Sequence, residues 1–298
     1  MRTIARSLLA AASLIIAPSL ARAQSLIPEI PGPEYGKLLA TGGLSNIDGA
    51  GGGGLATWAT ITGYGTKDSI GADLHYSYAG TQRFDLQTAG VSVGLYDRVE
   101  VSYAHQFFNT ENAGALLGLG KGFTFEQDIV GVKVRLFGDA VYGQDSLLPQ
   151  VAVGLQYKSG DKTGLVKALG AKMGQGVDYY IAFTKIFLDQ SLLVDATIRA
   201  TRANEDGLLG FGGPLEGAYS AQFEGSLGYL VTRSIAVGGE YRTMPHNLGF
   251  TKESDWKDVF ATYFINKNAS FTLAYVDLGT IATFKNQRGV YVSAKLGF

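Results

Sequence analysis

The stretch Gly289-Val290-Tyr291-Val292-Ser293-Ala294-Lys295-Leu296-Gly297-Phe298 decides the reading of this sequence. Val290, Val292, Ala294, Leu296 and Phe298 share one parity. Gly289, Tyr291, Ser293, Lys295 and Gly297 share the other. A period of two with one apolar face is the pattern of an amphipathic strand. Its apolar face needs shelter. A soluble sandwich turns that face inward, whereas a closed ring in a bilayer turns it outward to lipid.

The opposite end of the sequence bears on this choice. Met1 to Ala23 reads as a secretory signal peptide, with Arg2 and Arg6 before a short apolar run at 7–17. Ala21-Arg22-Ala23 reads as the cleavage site. The apolar run is too short for a spanning helix, which needs about 20 residues. Beyond it, no stretch is apolar for 18 residues, so a helical membrane span is not expected. An exported chain ending on an amphipathic strand and a terminal Phe298 resembles bacterial outer-membrane barrels, whose assembly machinery reads such an end. Val290, Val292, Ala294, Leu296 and Phe298 are the expected assembly signal.

Composition narrows the function classes. The 298 residues carry a formal charge of −1, and loss of Arg2, Arg6 and Arg22 leaves 22 basic against 26 acidic residues, net −4. There is no basic field for nucleic acid. Cys is absent, which excludes disulfides and thiolate sites. Gly at 41, with 16 Tyr and 16 Phe, suits curved strands and aromatic girdles at membrane interfaces.

Residues 24–36, with Pro28, Pro31 and Pro33, read as an extended periplasmic lead or small plug rather than a strand. Strand-like segments then recur at hairpin spacing: 37–47, 55–65, 69–79, 84–96, 98–109, 126–138, 149–159, 176–187, 190–202, 218–230, 233–243, 255–265, 268–278 and 287–298. That pattern predicts one domain over 37–298, an all-β, closed, antiparallel transmembrane barrel of about fourteen strands, with twelve as the alternative. The glycine run 49–54 is read as a loop; it lacks the Gly-Lys-Ser/Thr ending of a phosphate loop. Connections alternate in length: short at 65–68, 96–98, 188–190, 231–233 and 266–268, long at 110–125, 160–175, 203–217 and 244–254, with 139–148 an intermediate exception on the short side and 80–83 one on the long side. Outer-membrane barrels alternate short periplasmic turns with long external loops.

The faces agree with a lipid-facing exterior. Val130, Val132 and Val134 alternate with Gly131, Lys133 and Arg135. Val194, Ala196 and Ile198 alternate with Asp195, Thr197 and Arg199. A charge at mid-bilayer costs about 2–4 kcal/mol on such a strand, so the polar parity is expected to face the lumen.

Four segments carry a family resemblance: LLATGGLSNIDGAGGGGLATWATITGYG (38–65), GVSVGLYDRVEVSYA (90–104), DQSLLVDATIRATRANEDGLLGFGG (189–213) and LAYVDLGTIATFKNQRGVYVSAKLGF (273–298). They resemble an uncharacterised family of Gram-negative exported proteins, known as a domain of unknown function. The resemblance covers nearly the whole mature chain. It implies a porin-like barrel in the outer membrane and brings no substrate and no functional residues.

The polar parity supplies the candidate site. It holds Asp73, His75, Glu100, Lys133, Arg135, Asp178, Asp195, Arg199, Glu224, Glu240, Arg242, Asp258 and Lys295. These line either a polar channel or a lumen filled by ion pairs. Mixed signs argue against a strongly ion-selective ring. About fourteen strands enclose more space than wall side chains fill, so water, an inward loop or residues 24–36 must occupy it.

Enzymatic readings rest on His75, His105 and His246. His105 lies on the lipid parity, where a lipid-hydrolysing barrel would place its base. Ser102 has the opposite parity, so no nucleophile is paired with it. The scattered histidines give no metal-ligand spacing, and no cofactor is implied. Loop stretches 113–120 and 163–170 read as short helices, either folded inward as a constriction or packed at the rim on lipopolysaccharide. The leading expectation is passive passage of small solutes. The alternatives are a non-conducting barrel presenting loops 160–175 and 203–217 to a partner, and a lipid-modifying enzyme. Expected partners are outer-membrane lipid and lipopolysaccharide, the assembly machinery and a small solute.

Overall fold

A computed structural model describes residues 36–298. The expected signal peptide and nearly all of the 24–36 lead lie outside the described residues. Twelve antiparallel strands follow one another around a closed ring: β1 (Ile70–Gly80), β2 (Asp85–Leu95), β3 (Val99–Asn109), β4 (Thr124–Phe137), β5 (Gln150–Gly160), β6 (Gln175–Phe187), β7 (Leu192–Thr201), β8 (Ser220–Thr232), β9 (Ile235–Arg242), β10 (Trp256–Phe264), β11 (Ala269–Asp277) and β12 (Arg288–Gly297). β12 closes on β1 through pairs such as Lys295 with His75 and Leu296 with Leu74.

The wall has twelve strands, not fourteen. The two expected strands missing from it are 37–47 and 55–65. Their sequences explain why. A lipid-facing strand needs a large apolar residue at every second position, but Leu55, Thr57, Ala59 and Ile61 alternate with Ala56, Trp58, Thr60 and Thr62. Neither parity is greasy enough to face hydrocarbon, and all eight side chains are buried. Residues 36–65 instead fold as a plug inside the ring, and 66–69 form the turn that leads from it into β1. A short hairpin, Leu44–Ser45 against Gly51–Gly52, forms its core.

Two glycines permit this fit. A Cβ on Gly53 would stand 1.7 Å from Glu240 Oε1, and one on Gly49 would stand 2.8 Å from the Ala104 Cβ. Gly49 also has φ +86°, which L side chains rarely adopt.

Outside the ring, the apolar parity is exposed: Val259 is 62% accessible, Leu227 57% and Ile198 50%. In water such a belt would be untenable; it is the surface of a barrel solvated by lipid. Tyr76, Tyr103, Tyr157 and Tyr241 point their hydroxyls to Gln87, Asp128, Gln175 and Asp255, as aromatic residues do at a membrane interface. Among the described residues no helix is long and apolar enough to cross a membrane.

Connections at one end, beside residues 69 and 298, are mostly tight, with 138–149 the longest. The other end carries 110–123, 161–174, 202–219, 243–255 and 278–287, with the tight connection 81–84 the exception. There α1 (Glu111–Leu116) and α2 (Thr163–Ala168) turn Ala113 and Val166 inward, while Leu116 and Leu117 stay exposed. Phe84, Phe108, Phe125, Leu208, Leu209, Leu248 and Ile281 join them in an apolar lid that meets Ile47 and Leu55 of the plug.

Candidate functional site

Strand parity places all thirteen candidates inside the ring: Asp73, His75, Glu100, Lys133, Arg135, Asp178, Asp195, Arg199, Glu224, Glu240, Arg242, Asp258 and Lys295 are buried. Most of them meet the plug, and they hold it largely by its main chain. Glu100 accepts from Gly51 N–H at 2.9 Å and Thr62 N–H at 2.8 Å. Lys133, its register neighbour on β4, bonds Glu100 at 3.0 Å and donates to the carbonyls of Gly51 and Thr60. Glu240 accepts from Gly54 and Leu55, while Arg242 donates to the Leu55 carbonyl at 3.4 Å. Glu224 accepts from Thr57 N–H and Thr197 donates to the Thr57 carbonyl. Thr184 accepts from Ala59 N–H and Gln150 donates to the Ala59 carbonyl.

Other candidates complete this lining. Lys295 donates to the Gly43 carbonyl and pairs with Asp73 at 2.8 Å; Asp73 accepts from Gly63 N–H. Asp195 accepts from Thr184 Oγ1, and Asp258 accepts from the Glu240 N–H. His75 is buried with neither ring nitrogen hydrogen-bonded.

The hairpin tip carries Asp48 into an ion cluster. Its carboxylate lies 3.0 Å from Lys158 Nζ and 3.2 Å from Arg242 Nη1. Lys158 also reaches Asp178 at 3.4 Å and Asp206 at 2.5 Å. Arg199 pairs with Glu224 and with Asp178 at 3.6 Å. Asp48, Asp178, Asp206 and Glu224 thus surround Lys158, Arg199 and Arg242, one carboxylate more than there are bases. Sequence reading missed Lys158, although the parity Gln150, Ala152, Gly154, Gln156 runs on to it. It also missed Asp48 and Asp206, which sit in non-wall segments where strand parity says nothing.

At the end with short turns, Lys37 pairs with Asp97 at 2.9 Å and donates to the Ile61 carbonyl. Arg135 bonds Asp97, Asp139 and the Gly138 carbonyl. Leu38 N–H reaches Tyr142 Oη at 3.3 Å. The first residues of the plug are therefore latched to two turns.

At the lid, Glu205 N–H donates to Glu253 at 2.8 Å, and Ala282 N–H donates to Glu205 at 3.1 Å. Two carboxyl groups thereby tie three loops together. Burial pushes the Glu205 carboxyl up to about 8, against one lowering contact from Ala282 N–H. Burial, with Glu205 beside it, pushes Glu253 well above the carboxylate range. Among the described residues, no group of three or more His, Cys, Asp or Glu is placed to hold a metal ion.

The remaining candidates lie on the exterior. His105 Nδ1 is 2.8 Å from Asp128 on the outer face, and Asp128 is the register partner of Ser159. The order across the wall is His105, Asp128, Ser159, so the carboxylate stands where a triad needs the imidazole. Ser102 is buried on the opposite face, and His246 is exposed in a loop. Val290, Leu296 and Phe298 are exposed on the outer face of β12; Val292 and Ala294 share that parity.

One cavity between plug and wall, lined by Leu44, Trp58, Ile186 and Leu193, measures about 30 Å3, room for a water or two.

Solved structures with this architecture include the KdgM porin (11% identity, TM-score 0.49, 76% of this chain and 99% of that one). The NanC porin matches at 11% identity and TM-score 0.47, over 76% and 98%. Outer membrane phospholipase A from Escherichia coli matches at 9% identity and TM-score 0.42, over 79% and 93%. At such identities the likeness is one of fold. No curated protein matches the chain. The sequence itself matches, over residues 41–295, the family described as "Protein of unknown function (DUF3034)". A match across most of the chain settles membership: this twelve-stranded barrel belongs to the DUF3034 family.

Proposed function

We propose that the protein is an outer-membrane channel closed by its own N-terminal plug and opened when the plug moves. The observation that carries this reading is the chemistry of the plug–wall contact. A lumen meant only to be filled is filled most cheaply by apolar side chains, because each buried charge costs desolvation that its partner repays incompletely. Here the wall keeps thirteen ionisable candidates inside, and seven of them, Asp73, Glu100, Lys133, Glu224, Glu240, Arg242 and Lys295, bond the backbone of the plug. A polar contact can be exchanged for water or a polar solute. This replaces the expectation of standing passive passage with a gated one.

On this reading the turn end faces the periplasm and the lid faces outward. Lipid and lipopolysaccharide solvate the belt, and Val290, Val292, Ala294, Leu296 and Phe298 serve the assembly machinery. The exterior order of His105, Asp128 and Ser159 gives no support to lipid hydrolysis.

Conductance in planar bilayers tests the proposal. The full chain is expected to be near silent. Gly53→Trp, which cannot seat against Glu240, is expected to open in discrete steps. Silence of a correctly folded Gly53→Trp protein would support a non-conducting barrel instead.

A further inference from the structure

The plug occupies the lumen as a guest, so its contacts record what the wall is built to bind. Leu55, Thr57 and Ala59 are spaced two apart, and each has both its N–H and its C=O taken by the wall. The stretch bends at Leu55, Ala56 and Ala59, so the wall follows the main chain along a curved path rather than along a straight strand.

The wall achieves this with side chains set in register. Glu224 on β8 is the direct partner of Thr197 on β7, and together they take Thr57. Gln150 on β5 is the direct partner of Thr184 on β6, and together they take Ala59. Each pair offers one acceptor and one donor to the N–H and C=O of a single residue. An oligosaccharide presents hydroxyls that both donate and accept, with no fixed two-residue alternation of the two roles. Side-chain identity counts for least at Ala59, which has only a methyl group to offer, whereas Thr57 Oγ1 accepts from Arg199 and Trp58 Nε1 donates to Ser226.

We infer that the substrate class of this lumen is a peptide, recognised through its main chain, that takes the position of residues 55–59 when the plug withdraws. The inference rests on the gated-channel reading for how the site becomes available, though binding itself does not require conduction.

Two measurements on the full-length Gly53→Trp protein keep the two claims separate, with Gly51→Trp as the second variant if the first does not fold. The first is fluorescence anisotropy of a labelled, uncharged twelve-residue Gly/Ala/Thr peptide in detergent. The second is block of single-channel current by the same peptide, by its backbone N-methylated form and by a neutral glucan of matched length. Saturable peptide binding is expected, weakened about tenfold or more by N-methylation, which removes the donors that Glu224, Glu240 and Thr184 accept. Thr197→Val with Gln150→Leu is expected to weaken it similarly. Equal binding of the peptide, its N-methylated form and the glucan would overturn the inference, as would absence of peptide binding to folded protein. Peptide binding without current would leave the inference standing and remove the channel.

Discussion

At the scale of single residues, the closed state depends on charges that cannot be left alone. Lys158 is fully buried and stands among Asp48, Asp178 and Asp206. Lys158→Met is expected to cost about 3–5 kcal/mol, because it strands carboxylates in a dry interior. Urea titration of the detergent-solubilised barrel, followed by intrinsic fluorescence, checks this; a midpoint equal to wild type would show that water already reaches the cluster. Gly53 makes the opposite kind of demand. Gly53→Ala needs space where Glu240 stands at 1.7 Å, and the plug or the glutamate must shift. A loss of about 1–3 kcal/mol is expected from such overpacking, read in the same titration.

At the scale of elements, the lid has a built-in pH dependence. Glu205 titrates near 8 in the folded protein against an ordinary 4.5, so the folded lid holds a proton that the unfolded loops release. Its stabilising effect is complete below about pH 4.5 and is lost as pH rises toward and through 8. Protease nicking of loops 202–219, 243–255 and 278–287 is therefore expected to be faster at pH 9 than at pH 5. Glu205→Gln, which cannot ionise, is expected to flatten that dependence; an unchanged profile would place the titration elsewhere. The elements also show how far sequence carries. All twelve wall strands were legible within two residues, because lipid outside and polar groups inside impose a period of two. The plug was not, because Leu55 to Thr62 also alternates, yet is buried on both faces. Alternation describes only the order of side chains; here it sits on a bent segment, and it does not say which surroundings receive it. What separated 55–65 from the wall was the smallness of its apolar parity, with Thr57 and Ala59 where Val, Leu or Tyr stand in true wall strands. The thirteen lumen residues followed from parity; their partner did not, since main-chain groups of residues 42–63 leave no trace in side-chain patterning.

At the scale of the whole molecule, wall, plug and lid form one closed system: hydrocarbon outside, hydrogen-bonded plug within, apolar cap above. The latch at the turn end offers the place where the plug would first give way. Lys37→Ala removes the bond to Asp97 and the one to the Ile61 carbonyl. It is expected to raise the frequency of brief openings in planar bilayers without changing their amplitude, since the lumen itself is untouched. The central claim, that residues 36–65 fill the ring, is tested most directly by a covalent tie. Ala59 of the plug packs in one cluster with Ala152 of β5 and Ala182 of β6, and the chain has no cysteine of its own. In native membranes, Ala59→Cys paired with Ala152→Cys or Ala182→Cys is expected to form a disulfide in most molecules, leaving the thiols closed to a water-soluble maleimide. Free thiols that label readily in both pairs, with no cross-link under oxidising conditions, would contradict the account.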